Sequence, residues 1–573
     1  MAYEKNKLVV AAIDFGTTYT GYAFSLKSDP MRIYQNEWYA TSTEAYSIFA
    51  KAPTTVLFRP DGTFHSFGFE AEDEFFTLNE TEKKAWYYFH EFKMKLYSTK
   101  NLNRNSLIEE FLGKSMPAIH VFAESIRYLK DQLEEALQVK GITVNMKDIL
   151  WVVTVPAIWS DSAKQLMREA ANRAGIHNED LILALEPEAA SIWCKEDPGM
   201  NLQNYFQPGR KYVLLDIGGG TTDISAHEVL EDNSLREIHR ATGDALGGIN
   251  VDKKFKHFMT LLFGRDVFTR FLIEHNNDYL ELIRNFRIKK KTISSSQEKF
   301  SIRLPSTLGE IVLELKGCDI NTLISQSKFS KVASYSSDKL KIDHAKMKEF
   351  FDDTIRGIIQ CVQRVFSTQA VSPVDTILVV GGFSGSLLFQ DNLKTNFPDV
   401  KIVIPKDGEM AILKGAVLLG YKPHIISERI SRYTYGVSYN IPFIEGEHPE
   451  KLLIFAGGEK RCHLLFEKII QINQSVRSGS TVIFYRCTNV VNDNEKQKAL
   501  STKVFSSTLE DPIYCTDEGT KQIGEIIRSP PEGGWPDVVE SRIDITAGES
   551  ELRVKVFEVS TGREFESKFD FLQ

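Results

Sequence analysis

Apolar and polar positions along the first two thirds of the chain predict alternating strands and helices. Apolar runs at 9–24, 149–156 and 181–187 are typical of buried strands. Between them, 116–141 and 160–175 repeat apolar residues at helical spacing, and each segment ends at a glycine. The alternation predicts parallel sheet covered by helices.

One pattern occurs twice. "VVAAIDFGTTYTGYAF" (9–24) and "YVLLDIGGGTTDISAHEV" (212–229) each read as apolar strand, aspartate, Gly-Thr turn and apolar strand. Asp14 and Asp216 hold matching places, and we interpret the repeat as two copies of one αβ lobe. A third Gly-rich turn follows the apolar run in "TILVVGGFSGS" (376–386), where a strand is predicted to lead into a helix.

The pattern changes after Tyr421. Residues 424–436 look like a connecting segment, and from Val437 onward short alternating runs are separated by Gly, Pro, Asn and Asp. This pattern of short alternating runs and turn residues predicts an all-β domain. The predicted organisation is therefore an α/β region at 1–422, a linker at 423–436 and a β-sandwich-like domain at 437–573.

Composition narrows the class of protein. A chain of 573 residues is too long for one core, and 42% hydrophobic with 25% charged residues is ordinary for a globular protein. The net charge of -8 argues against a nucleic-acid partner. We expect no transmembrane segment and no signal peptide. Six cysteines without paired spacing predict reduced thiols and a cytoplasmic protein, with the nucleus as alternative.

The three Gly-rich turns point to a phosphate ligand. Backbone N–H groups can converge on an anion only where no side chain blocks them, which suits glycine, and threonine adds a hydroxyl donor. Aspartates at strand ends suit Mg²⁺, which binds oxygen and keeps its waters. A single turn of this kind is more often a plain hairpin, but two matching copies and a third turn favour the ligand. The chain has no G-x-x-x-x-G-K-[ST] motif, so it is not a P-loop protein.

Five stretches carry a family resemblance. They are "AIDFGTTYTGYAF", "WVVTVPAIWSDSAKQ", "ALEPEAASI", "LLDIGGGTTDIS" and "ILVVGGFSGS". Together they resemble the phosphate, connecting and adenosine motifs of actin-like ATPases, and more closely the heat shock 70 kDa chaperones. "LEPEAAS" and "GFEAEDEFF" lean toward the divergent heat shock 70 kDa protein 12 branch. The resemblance implies an α/β fold with duplicated actin-like (ribonuclease-H-like) ATPase lobes, then a smaller all-β domain without a helical lid.

The resemblance also implies the site residues. For the catalytic step they are Lys93, Asp216, Thr221 and Glu186. For a water-bound metal they are Asp14, Asp216, Asp223 and Glu186. For the nucleotide they are Asp14, Gly16, Thr17, Thr18, Tyr19, Gly218, Gly219, Gly220, Thr221, Thr222, Gly247, Gly248, Lys290, Lys291, Ser294, Gly381, Gly382, Phe383, Glu409 and Gly415. The implied cofactors are ATP or ADP with Mg²⁺, and K⁺ is a further candidate.

Some assignments stay open, and some positions depart from the family. Lys95 is an alternative to Lys93, because the register in "HEFKMKLYS" is loose. Pro156 matches a switch proline, and Lys164 stands where the family has its partner arginine. Two departures affect the adenosine side: Arg287 replaces a ribose-binding glutamate, and Gly385 replaces an arginine that stacks on adenine. The phosphate side is expected to be intact and the base side weakened.

Three functions are compared. The first is an ATP-binding, chaperone-like protein with slow ATP hydrolysis, whose residues 437–573 bind a hydrophobic peptide or a protein client. The second is a scaffold that binds nucleotide without hydrolysis and recruits a protein partner. The third, a small-molecule kinase, is disfavoured by the β-domain. The linker carries Glu428 and Arg429 where the family has apolar residues, so we expect it to dock poorly as an extra strand.

Overall fold

The computed structural model describes residues 7–40, 47–99, 101–197, 199, 202–294, 299–456, 458–490, 493–546, 552–567 and 571–572. The chain divides into two compact units. Unit 1 comprises residues up to Ala226 and Ala241–Pro423, and unit 2 comprises His227–Arg240 and residues from His424 onward. The chain is mixed α/β, as the alternating pattern predicts.

The first large sheet of unit 1 contains the first Gly-Thr turn. Its strands, in sheet order, are Leu181–Leu185, Ile149–Val155, Val9–Phe15, Tyr19–Leu26 and Asp29–Gln35, with Ala52–Pro53 beside Tyr19–Leu26. The first three strands are parallel, with Val9 opposite Ile149 and Trp151 opposite Leu181. Every residue of Val9–Phe15 and Ile149–Val155 is buried, which is why both read as continuous apolar runs.

The second Gly-Thr turn lies in another sheet. Four of its strands, in sheet order, are Lys401–Val403, Thr376–Val380, Lys211–Ile217 and Thr222–Val229. Asp216 is opposite Val380 in parallel register, so the glycines after Val380 lie beside the turn after Ile217. The two predicted strand–turn–strand patterns are thus present, each in its own sheet, while duplication of one lobe stays a prediction.

Smaller strands and the helices complete unit 1. Thr55–Phe58 and Phe64–Phe67 form a hairpin. The other strands are Trp38–Ala40, Ser47–Phe49, Tyr87–His90, Leu107–Glu109, Ser115–Pro117, Lys299–Arg303, Ala333–Ser336 and Lys339–Asp343. The helices are Phe69–Thr77, Glu80–Ala85, Lys93–Ser98, Ala118–Val139, Asp161–Arg173, Glu186–Glu196, Gly248–Phe263, Arg265–Glu274, Asn276–Lys289, Ser306–Lys316, Ile320–Gln326, His344–Phe366, Leu387–Asn396 and Ala411–Tyr421. Ser160 caps its helix by accepting a hydrogen bond from the Ala163 N–H.

Unit 2 is built mainly from strands. One sheet contains, in order, Leu453–Ala456, Glu459–Ile470, Thr434–Pro442, Leu500–Ser507 and Thr520–Arg528. A second contains Thr481–Asn489, Val538–Thr546, Arg553–Glu558 and Glu564–Ser567. Apolar side chains from both sheets, among them Val437, Val504, Ile543 and Val556, share one buried core. The described part of unit 2 also has one short α-helix, Asp493–Lys496, and a 3-10 turn at Glu450–Leu452.

The segment predicted as a linker forms a strand within unit 2. Ile426–Ile430 pairs in parallel with the strand beginning at Leu235 and antiparallel with Ser475–Arg477. The segment therefore pairs as a strand, although its charged residues led us to expect that it would dock poorly. Glu428 accepts a hydrogen bond from the Ser475 hydroxyl (2.9 Å), and Arg429 donates to the Ser478 hydroxyl (2.8 Å). These polar partners offset part of the desolvation cost that motivated the expectation.

Two further expectations concern membranes and thiols. Within the described ranges, no helix is both long and apolar enough to cross a bilayer. The cysteines Cys194, Cys318, Cys361, Cys462, Cys487 and Cys515 are free thiols, as their spacing predicts.

Candidate nucleotide site

The first Gly-Thr turn places Asp14 in a buried, hydrogen-bonded position. One carboxylate oxygen accepts a hydrogen bond from the Thr154 hydroxyl (2.7 Å), and the other accepts one from the Lys51 ammonium (2.6 Å). Burial raises the pKa of Asp14, but Lys51, Lys93 and the Thr154 bond together outweigh burial and lower it. Asp14 is therefore an anion held between a hydroxyl and an ammonium.

Lys51 and Thr54 support this turn, and the sequence analysis missed both. They flank Ala52–Pro53, which pairs with the strand that follows the turn. The Thr54 N–H donates to the Thr18 carbonyl (2.9 Å), and its hydroxyl donates to the Gly16 carbonyl (2.8 Å). The sequence offers little sign of this, because Lys51 and Asp14 lie on separate runs that only sheet pairing brings together.

The second turn presents two carboxylates with unused oxygens. Within the described part, Asp216 Oδ1 and Asp223 Oδ2 are buried and have no hydrogen-bond partner. The other Asp223 oxygen accepts a hydrogen bond from the Ile158 N–H (3.1 Å). Burial is the main cause that raises the pKa of both acids, and Glu186, Asp223 and Asp14 add to the effect at Asp216. Two buried acids with free oxygens are suited to receive a cation.

Lys93 and Glu186 form a buried ion pair at the same centre. Lys93 Nζ lies 2.5 Å from Glu186 Oε1, and the ammonium also lies 5.5 Å from the centre of the Trp159 ring. Burial raises the pKa of Glu186 to about 7, with Asp14 and Asp223 adding to the effect and Lys93 opposing it. Lys95, the alternative, is exposed on the same helix. The structure thus brings Lys93, and not Lys95, to the acids.

The two Gly-Thr turns face each other. A Cβ atom at Gly219 would lie 2.5 Å from Thr18 Oγ1, and one at Gly220 would lie 2.7 Å from Thr17 Oγ1. Glycine is required at both positions because any side chain would overlap the opposite turn. The predicted residues of both phosphate loops are therefore neighbours in space.

Neighbouring glycines and threonines hold the second turn in shape. A Cβ atom at Gly247 would lie 2.3 Å from the Gly219 carbonyl oxygen, and the Gly248 N–H donates to the Gly218 carbonyl (3.2 Å). The Thr222 hydroxyl donates to the Leu246 carbonyl. Thr221 hydrogen-bonds the Asp223 side chain and lowers its pKa against the larger effect of burial.

On the predicted adenosine side, buried charges are paired with one another. Lys290 donates to Asp252 (2.5 Å) and to the Gly248 carbonyl (2.7 Å), and its ammonium lies 5.7 Å from the Phe383 ring centre. Arg287 donates to Asp252 (2.9 Å) and also to Glu91. Burial opposes the charge on Arg287, but Glu91 and Asp252 raise its pKa overall. Arg287 is therefore a charged residue that is paired with two acids, Asp252 and Glu91.

The third Gly-rich turn leaves open space at Gly382 and Gly385. Gly382 has no atom within 4 Å of a built Cβ, and the nearest atom to a Cβ at Gly385 is Lys291 Cδ at 3.9 Å. Lys291 Nζ lies 3.5 Å from a carboxylate oxygen of Glu409, whose side chain is 61% exposed. Room at Gly385 is consistent with a missing stacking side chain.

The remaining predicted residues have varied surroundings. Gly415 allows a close helix crossing, because a Cβ there would lie 1.7 Å from the Ala189 carbonyl oxygen. Tyr19 opens the strand after the first turn, and burial raises its pKa. Pro156 follows a buried strand, and Lys164 is buried in the next helix. Ser294 lies beyond the Lys290–Thr292 turn.

The acids of the site suit a hydrated metal ion. Across the ranges that the structure describes, no three His, Cys, Asp or Glu side chains are grouped so that they could hold a metal ion directly. The oxygen-only chemistry and the free atoms Asp216 Oδ1 and Asp223 Oδ2 do fit a hydrated Mg²⁺, which needs few direct protein ligands.

Comparison with known proteins identifies similar chains. Residues 88–401 match the sequence model of a protein family that is described as "Hsp70 protein". The chain is 32% identical to Heat shock 70 kDa protein 12A of Mus musculus over 628 aligned residues, covering 99% of this chain and 92% of the relative. It is 31% identical to Heat shock 70 kDa protein 12B of Homo sapiens, covering 98% and 91%. Chaperone protein HscA homolog of Rickettsia prowazekii (strain Madrid E) is 25% identical, covering 56% and 42%.

Proposed function

Because the chain belongs to the Hsp70 family, in its heat shock 70 kDa protein 12 branch, we propose that it binds ATP and ADP with Mg²⁺ between the two Gly-Thr turns and hydrolyses ATP slowly. The proposed fold of unit 1 is a duplicated, actin-like pair of lobes. The proposed cellular role is that of a chaperone-like protein, for which the HscA homolog's name gives further support.

One observation carries the proposal. Asp14, Glu186, Asp216 and Asp223 act on one another electrostatically, in buried positions beside two facing Gly-Thr turns. Such a concentration of acids is unfavourable without cations, and a hydrated Mg²⁺ carrying nucleotide phosphates would neutralise it. The free oxygens of Asp216 and Asp223 would hold waters of the ion.

The residues support slow hydrolysis. Lys93 would place positive charge near the transferred phosphoryl group, and Thr221 would help to orient the attacking water. No group in this proposal acts as a strong general base, so the residues mainly fix phosphates and offset their charge. The bound Mg²⁺ would supply the remaining charge neutralisation.

Titration calorimetry with ATP and ADP, with and without Mg²⁺, tests the binding step. We expect Asp216→Asn to abolish Mg²⁺-dependent binding or hydrolysis while the protein stays folded, because the change removes a charge that positions the ion. Asp232→Asn, an exposed change in a turn, is the matched control. Unchanged Mg·ATP binding and hydrolysis in Asp216→Asn would contradict the assignment of Asp216 to the nucleotide site.

A scaffold that binds nucleotide without hydrolysis is the second candidate. The observation favouring it is that Lys93 is already neutralised by Glu186. Single-turnover release of phosphate from bound ATP separates the two functions. Measurable release supports a slow ATPase, and its absence despite tight ATP binding supports the scaffold.

For residues 437–573 we propose binding of a hydrophobic peptide or a protein client. Exposed apolar side chains of unit 2 support this, with Phe455 73%, Tyr485 66% and Ile513 63% accessible. We further propose a cytoplasmic or nuclear location, which the free thiols support. Fluorescence anisotropy with a labelled hydrophobic peptide tests the first proposal, and no binding at any nucleotide state would contradict it.

A further inference from the structure

Lys51 places an ammonium group directly on the acid of the first phosphate turn. Its Nζ donates to Asp14 Oδ2 (2.6 Å) and to the Glu409 carbonyl (2.9 Å), so its bonds join two segments of the predicted nucleotide site. The Lys51 side chain is 15% exposed, whereas Asp14 is 4% exposed. The ammonium has three N–H groups, and these two bonds use two of them.

The charge balance of the site makes this contact consequential. Four carboxyl groups, those of Asp14, Glu186, Asp216 and Asp223, are buried at this site. Two ammonium groups accompany them, with Lys51 paired to Asp14 and Lys93 paired to Glu186, so Lys51 supplies one of the two positive charges. Lys51 also acts electrostatically on Asp216, so its influence reaches beyond its own ion pair.

The Lys51–Asp14 contact makes Asp14 less suitable as a metal ligand. A cation at Asp14 Oδ2 would need the oxygen that Lys51 already binds, and two cations at that distance repel each other. The Asp216 and Asp223 oxygens, in contrast, are free to face an ion. A hydrated Mg²⁺ is therefore better accommodated toward Asp216 and Asp223 than at Asp14.

We propose that Lys51 is a nucleotide-positioning residue whose ammonium provides, at Asp14, the positive charge that a nucleotide phosphate requires. The inference rests on the proposed nucleotide binding and adds a residue to it. The remaining N–H donates to a phosphate oxygen, because lysine binds phosphate as a point charge. ATP binding should therefore weaken, but not disappear, when Mg²⁺ is removed.

Titration calorimetry with ATP in Mg²⁺ and in EDTA tests this. We expect the wild type to keep measurable ATP binding in EDTA. Lys51→Met should weaken binding in EDTA by about tenfold or more, since a hydrogen bond to a charged group is lost. Lys51→Arg, which keeps the positive charge, should retain most of the wild-type ATP binding in EDTA. Lys95→Met removes an exposed lysine and serves as the control, with no expected change.

The possible outcomes are distinct. Wild-type binding in Mg²⁺ but none in EDTA overturns the role of Lys51 and leaves nucleotide binding standing. Equal binding in EDTA by Lys51→Met and wild type also overturns it. No ATP binding in either buffer overturns both proposals. If Lys51→Met does not fold, as judged by circular dichroism, Lys51→Gln replaces it, with the same weakening of binding expected in EDTA and the same outcome, equal binding to the wild type, overturning the role of Lys51.

Discussion

Lys93 and Glu186 form an ion pair with 2.5 Å between Nζ and Oε1, and both side chains are less than a tenth exposed. The lysine opens a short helix, and the glutamate begins the helix after the third parallel strand of its sheet. The pair thus joins segments 93 residues apart in the chain. Breaking such a pair leaves one charge buried without its partner.

Lys93→Met is expected to lower both stability and turnover. Loss of a buried partner costs up to about 3–5 kcal/mol. Loss of positive charge at the phosphates should slow ATP hydrolysis by about 100-fold or more. Thermal unfolding and single-turnover phosphate release measure the two effects. Lys95→Met is the control, because it removes the same charge from an exposed position of the same helix. Equal rates in the two variants would contradict the role of Lys93.

The stability of the protein without Mg²⁺ should depend on the protonation of Glu186. Its pKa rises from 4.5 to about 7 on folding, so the folded state binds the proton more tightly than the unfolded state. This contribution is fully present below pH 4.5 and is lost as the pH rises through about 7. The loss is on the order of 3 kcal/mol.

Glu186→Gln checks this dependence, because glutamine cannot titrate. The thermal midpoint of the variant, relative to the wild type, is expected to increase steadily between pH 4.5 and about 7. Parallel pH profiles of the two proteins would show that Glu186 does not change protonation in this range.

Gly381→Ala should destabilise the site. Gly381 has φ +90°, and an added Cβ would lie 2.4 Å from Asp216 Oδ1. The left-handed backbone alone costs alanine about 1–3 kcal/mol, and displacement of Asp216 should weaken Mg²⁺-dependent ATP binding. Gly113→Ala is a matched control, since Gly113 also has a positive φ (+95°) and an added Cβ there meets no atom within 4 Å. Calorimetry should show weaker Mg²⁺-dependent ATP binding in Gly381→Ala only, and equal binding by the two variants would argue against the assignment.

Gly385→Arg should tighten ATP binding by about 2- to 30-fold, because an arginine over the adenine adds about 0.5–2 kcal/mol of stacking. The structure permits the change: Gly385 lacks a positive φ, and its nearest neighbour is at 3.9 Å. Gly385→Met adds similar bulk without a guanidinium group and is the control. Competition titrations with ATP and GTP measure the affinity of each variant for the two nucleotides. Equal ATP affinity of Gly385→Arg and Gly385→Met would contradict stacking.

The sequence by itself determined the elements that carry the site. The aspartates and Gly-Thr turns were identifiable from "IDFGTT" and "LDIGGGTTD", because buried strands and glycine turns are specified by local pattern. The helix predicted at 160–175 follows the same kind of local rule and is present as Asp161–Arg173. The family could also be recognised from these short motifs.

Only the tertiary structure decided which charges meet. Lys51 reaches Asp14 because Ala52–Pro53 pairs beside the first turn, and Lys93 rather than Lys95 reaches Glu186 because of the way its helix is placed. The strand at 426–430 forms despite its charges, since Ser475 and Ser478 supply polar partners. Electrostatic and hydrogen-bond partners depend on distances between segments far apart in the chain, and local sequence patterns carry no information about those distances.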